Sequence, residues 1–134
     1  MVSPDRIGIT LPSKADYVSV ARLAASGVAS RVGFDIETVE DIKVAVSEVC
    51  SRIIRTAAEQ KGQYSIFFEI FRNELVITFT SDMEKVKCIF DDDEDGLGMS
   101  IINAFMDKVE FCPENKDYVL SMTKTLGVIS GNGL

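Results

Sequence analysis

Apolar residues recur along this chain with two different periods. From Arg6 to Leu11 they alternate, with Ile7, Ile9 and Leu11 on one face, which predicts a short strand closed by Pro12. After Pro12 the spacing changes to three and four. Tyr17, Val20, Ala21, Ala24 and Val28 predict a helix from about Lys14 to about Arg31, ended by Gly33. Ser13 with Asp16 three residues later resembles a capping box at its start.

Asp35 is a good N-cap for a second helix, with Phe34 and Val39 placed to staple across it. Ile36, Val39, Ile42, Val46, Val49, Ile53 and Ala57 form the clearest stripe in the chain, and the helix they predict runs to about Gln60. Tyr64 to Phe71 and Leu75 to Thr80 are rich in β-branched and aromatic residues, and Arg72-Asn73-Glu74 between them predicts a hairpin. A polar stretch follows, ending in five consecutive acidic residues, Asp91 to Asp95. Gly96-Leu97-Gly98 opens a third helix with Ile101, Ile102, Phe105 and Met106 on its apolar side. Val109 to Cys112 and Tyr118 to Thr125 predict two last strands, and 127–134 predicts a flexible, Gly-containing tail. The economical packing is a two-layer α+β sandwich, a mixed sheet covered on one face by about three helices, in a single domain spanning 1–134.

Composition narrows the function classes. The 134 residues suffice for one domain with a real core, with 46% hydrophobic and 26% charged residues. A net charge of −7 argues against nucleic acid or an anionic membrane surface as the main partner. No apolar run approaches a membrane span and no signal peptide is recognisable, which predicts a cytoplasmic protein. Three scattered cysteines, Cys50, Cys88 and Cys112, and no histidine exclude a zinc cluster and histidine acid–base chemistry. No metal site is predicted. Asp91, Asp93, Asp95 and Gly96 mimic the start of an EF-hand loop, but Ile102 stands where the loop needs a bidentate Glu.

Gly96 and Gly98 at a helix start make a reasonable phosphate cradle, because free N–H groups and the helix dipole favour anions; the plainer reading is a turn and a helix entry. Three stretches carry a more specific signal. Ala15-Asp16-Tyr17-Val18-Ser19-Val20-Ala21-Arg22-Leu23, then Gly33 to Glu37, then Glu40 to Glu48 form the first. Gly96 to Ile102 with Met106 to Val109 form the second, and Met122 to Leu126 the third. Together they resemble the bacterial anti-sigma-factor serine kinases of the partner-switching systems, members of the GHKL superfamily of histidine-kinase-like ATPases with a Bergerat-type sandwich. The resemblance implies ATP and Mg²⁺ as cofactors, a sigma factor and an anti-sigma-factor antagonist as protein partners, and a homodimer.

It also implies residue roles. Glu48 matches the carboxylate that acts as base in phosphoryl transfer, and four residues on, at the same helix face, the family carries an Asn that ligates Mg²⁺. Here that residue is Arg52, which has five donors and no acceptor; it can contact phosphate or pair with Glu48, but not ligate a metal. The next turn departs again, with Arg55 and Thr56 where the family carries a second Asn and a His. The family's first glycine box, Asp-x-Gly, is replaced by Thr80-Ser81-Asp82-Met83-Glu84, so Asp82 is either the adenine reader or a plain turn residue. Gly96, Leu97 and Gly98 match the second glycine box. The acidic run before it opposes a triphosphate. Two functions follow. One is a regulatory protein that binds a sigma factor or antagonist with weakened or lost kinase activity; the alternative is an active serine kinase of the antagonist.

Overall fold

The computed structural model describes residues 3–57, 61–83, 89–90, 96–111, 113–114 and 116–127. The chain order is β1 (Asp5–Pro12), α1 (Val18–Val32), α2 (Ile36–Thr56), β2 (Gln63–Ile70), β3 (Glu74–Ser81), α3 (Leu97–Phe105), β4 (Lys108–Phe111) and β5 (Leu120–Thr125). One 3-10 turn, Ala15–Tyr17, leads into α1. The α+β sandwich expected from the sequence is therefore present. The acidic run, Glu84, Cys88, Cys112, the end of the second predicted helix and the tail after Gly127 lie outside the described residues.

Local chemistry sets the helix ends. Gly33 adopts φ +112, and its N–H and that of Phe34 bond back to Ser30 and Ala29 carbonyls, closing α1 in a Schellman motif. Asp35 then caps α2, its Oδ1 accepting from the Thr38 N–H at 2.8 Å. That hydrogen bond holds the Asp35 carboxyl below its ordinary range. The capping box expected at Ser13 does not form. The 3-10 turn starts from Lys14 without a side-chain cap, and the Ser13 hydroxyl is buried with no hydrogen-bond partner.

The sheet has the order β1-β2-β3-β5-β4, and all four pairings are antiparallel. The mixed sheet expected from the sequence is thus corrected, and the topology gives the reason. β3 and β4 run in the same direction, joined by the crossover that contains α3, but β5 inserts between them. A parallel pair never forms because its two members are not neighbours.

One sheet face meets the helices. Tyr64, Ile66 and Phe68 of β2, Leu75, Ile77 and Phe79 of β3, and Leu120 and Met122 of β5 are all buried there. They share one core with Ala21, Ala25 and Val28 of α1, and with Val39, Ile42, Val46, Val49 and Ile53 of α2. The predicted stripe of α2 is buried from Val39 to Ala57, but Ile36 at its first turn is 84% exposed. The opposite face carries Thr10 against Ser65, Thr78 against Ser121, and Arg6 stacked 4.0 Å over Phe67. Among the described residues no helix is long and apolar enough to cross a membrane.

Two titratable groups sit inside this core. Burial pushes the Cys50 thiol from 9.0 up to about 11. The Tyr64 phenol is raised as well, first by burial and then by the Cys50 thiol beside it. Both hold their protons more firmly folded than unfolded. The Cys50 part of the stability this represents is complete below pH 9 and is lost as pH rises through about 11, and the Tyr64 part is lost only at higher pH. We expect the urea midpoint to fall across that window and Cys50→Ala to flatten part of the fall, measured by denaturation at stepped pH.

Candidate active site

The site expected from the sequence begins on α2, whose apolar stripe fixes the helix against the sheet and so fixes the direction of the neighbouring positions. Glu48 and Arg52 are one turn apart. Arg52 does not extend into solvent: it is 9% exposed, the one charged residue among the buried side chains described. Its Nε donates to Glu48 Oε2 at 3.0 Å. Its guanidinium carbon stands 5.0 Å from the centre of the Phe90 ring. Phe90 in turn meets Phe111 of β4 edge to face, with ring centres 5.1 Å apart.

The third neighbour is Gly98. A Cβ built on it would fall 2.4 Å from Arg52 Nη2, 2.8 Å from Cζ and 2.9 Å from Nε. The guanidinium therefore lies against the backbone of the first turn of α3, in space that any side chain at position 98 would take. Arg52, Leu97, Gly98 and Met99 make further interactions beyond these. Gly96 opens the helix at φ +70, a left-handed conformation that favours glycine, and its carbonyl accepts from the Ser100 N–H. Leu97 points outward and is 58% exposed.

Glu48, Arg52 and Gly98 are thus brought together, with Gly96 and Leu97 two residues and one residue before Gly98. Asp82 is not part of that group. Pairing of Tyr64 with Ser81 and of Ser65 with Thr80 makes Ser81 the inward position at the end of β3. Asp82 follows on the other side, where its Oδ1 accepts from the Gln63 N–H at 3.3 Å. It lines a cavity of about 210 Å³ with Gln63, Tyr64, Ser65, Thr80 and Ser81. Ser81, which the sequence reading passed over, uses its Oγ to accept from the Met83 N–H. Strand alternation alone marks Ser81, because Leu75, Ile77 and Phe79 already define the inward parity.

Met83, within the segment that replaces the first glycine box, is buried. Its Cγ and Sδ would lie 2.6 and 2.9 Å from a Cβ on Gly62. One cavity beside Arg52, bounded by Arg52, Arg55, Thr56 and Ile89, is about 40 Å³, and Glu48 lines another of about 300 Å³ with Arg22, Lys43 and Ser51. Pockets that enclose a drug-sized ligand run to roughly 300–1,000 Å³.

The sequence profile of the histidine kinase-like ATPase domain matches residues 11–124. The chain belongs to that family. Within it, the chain is 36% identical to the serine-protein kinase RsbW of Halalkalibacterium halodurans over 92% of its own length and 85% of that protein's. It is 35% identical to the serine-protein kinases RsbW of Bacillus thuringiensis and of Bacillus anthracis, covering 90% of this chain and 84% of each relative. The family resemblance read from the motifs therefore stands, and the sheet with its three helices is consistent with the fold of the histidine kinase-like ATPases.

Nucleotide and Mg²⁺ use goes with this family, which makes the fit of position 52 decisive. A guanidinium has no lone pair to offer a cation, so Arg52 does not fit the metal-ligand role. A cation at the opening of α3 also faces the positive end of that helix, which is unfavourable by about 0.3–1 kcal/mol unless a carboxylate stands beside it. Glu48 is that carboxylate. Its side chain is about one-fifth exposed and that of Arg52 about one-tenth, so the pair lies between the surface and buried limits. We expect Glu48→Gln to destabilise the fold by about 1–3 kcal/mol, read from urea unfolding, because it leaves the guanidinium partly desolvated without its countercharge.

Proposed function

We propose that this chain is an anti-sigma-factor-like regulatory protein of the histidine kinase-like ATPase family. It works as a cytoplasmic homodimer that binds a sigma factor, an antagonist protein, or both, with ATP-dependent kinase activity weakened or lost. The observation that carries the reading is the 3.0 Å pairing of Arg52 with Glu48. A general base in phosphoryl transfer must accept the substrate hydroxyl proton, and geometry comes before pKa in judging it. Here the carboxylate already accepts a charge-assisted hydrogen bond from a group that stays protonated. The same side chain removes the metal-ligating position. One substitution thus acts on both parts of the reaction, and Thr56 and the Met83 segment are further departures from the family motifs.

The scaffold that would present a binding surface is intact by comparison. The core is continuous, and the relatives align over most of their length. Retention of Glu48 and the kinase names of the relatives favour the alternative, an active serine-protein kinase that phosphorylates an anti-sigma-factor antagonist.

Phosphoryl transfer separates the two. Purified protein, its cognate antagonist and radiolabelled Mg-ATP are incubated together, and binding of the host's sigma factors is titrated calorimetrically in parallel. We expect sigma-factor binding with transfer at least about a hundredfold slower than the 1–100 s⁻¹ usual for kinases. Transfer at ordinary kinase rates, abolished by Glu48→Ala, overturns the proposal in favour of the active kinase.

A further inference from the structure

The buried guanidinium has a structural consequence that loss of catalysis does not require. Arg52 is rooted on α2 and touches three separate parts of the chain. These are Glu48 on its own helix, the Phe90 ring before α3, and the backbone of Gly98 in the first turn of α3. We propose that Arg52 is an internal latch that closes the opening of α3 onto α2, so that the domain's own side chain occupies the cradle and metal-bound nucleotide is kept out of it. The proposal rests on the functional reading above for the loss of metal chemistry and adds what fills the space.

Three observations point the same way. The approach to Gly98 is closer than any side chain there would permit, so Arg52 and Gly98 are mutually dependent. The aromatic contact at 5.0 Å gives the cation a second favourable neighbour besides Glu48. The cavity bounded by Arg52, Arg55, Thr56 and Ile89, about 40 Å³, has room for little more than water. A side chain tethered to α2 also holds the site at no translational cost, unlike a free ligand, whose association carries an entropy penalty.

The latch makes an unusual prediction about sign. In a helix, Gly→Ala ordinarily stabilises or is neutral, because alanine has the higher helix propensity. With Arg52 present, Gly98→Ala must displace the guanidinium. We therefore expect Gly98→Ala to lower the melting temperature by about 3 °C or more in the otherwise unchanged protein, and to be neutral or stabilising when Arg52→Ala is already present. Arg52→Asn serves as a second background should Arg52→Ala fold poorly. Hydrogen exchange read by mass spectrometry should show peptides spanning 96–105 exchanging at least about tenfold faster in the Arg52 variant, as loss of a brace on one element predicts. The unchanged protein should show no thermal shift with millimolar Mg-ATP. The latch is overturned if Gly98→Ala has the same effect in both backgrounds, if exchange over 96–105 is unaltered, or if Mg-ATP raises the melting temperature of the unchanged protein. Phosphoryl transfer at ordinary rates overturns the functional reading and the latch together, whereas equal effects of Gly98→Ala in both backgrounds without transfer overturn the latch alone.

Discussion

A guanidinium removed from water requires countercharge, donors satisfied and a surface shaped to it, and the architecture around Arg52 supplies these from elements far apart in sequence. α2 contributes Glu48, the chain before α3 contributes the Phe90 face, and α3 contributes a backbone bare of a side chain at Gly98. None of these contacts is large alone. An exposed i,i+4 ion pair on a helix is worth about 0.3–0.5 kcal/mol, and a cation over an aromatic face about 0.5–2 kcal/mol depending on desolvation. Their force lies in the alternative: a charged group left partly buried with one partner missing is far more costly than the pair is favourable. The arrangement is therefore held as a unit, and changes at any of the three partners act through the same group.

The fold sets the distances that make this possible. α2 is anchored along its whole length by a stripe running from Val39 to Ala57, so positions 48 and 52 cannot rotate without unpacking the core. α3 belongs to a crossover between β3 and β4, and insertion of β5 between those strands widens the crossover by one strand spacing. α3 packs beside α2 and is held through Ile102 and Met106, both buried. Two rigid elements thus face each other across a gap that a long side chain from one can bridge.

Much of this was legible in the sequence because periodicity, caps and turns carry it. The α2 stripe, the Asp35 cap and the Gly33 stop were all readable, since each depends on neighbours within one or two turns. The i,i+4 relation of Glu48 and Arg52 was readable for the same reason, although whether the two paired or reached for phosphate was not. The failures have a common origin in long-range structure. Ser13 looked like a cap, but its backbone N–H bonds to Gly62 across the end of the sheet, and α1 starts later from Tyr17. The sheet looked mixed because β–α–β order suggests a parallel pair, and nothing local records that β5 slots between the members. Asp82 was legible only as either the adenine reader or a plain turn residue, because strand parity, which turns Ser81 inward, is fixed by the buried partners of β3.

The two glycines of the α3 box show why a retained motif is weak evidence for a retained ligand. Gly96 has a reason to be glycine that involves no nucleotide, since the chain turns into α3 through a left-handed conformation at φ +70. Gly98 has another, since Arg52 occupies the place of its side chain. The same pattern recurs where Met83 packs over Gly62 closely enough to exclude a Cβ there. In both places a large side chain at a position where the family motif differs is seated on a glycine. Packing at close to crystalline density leaves no room for a long residue unless a neighbour is small, so each pair is readable as one adjustment rather than two. Gly62 and Gly98 each admit a side chain of the protein itself, so packing alone accounts for a glycine at both positions.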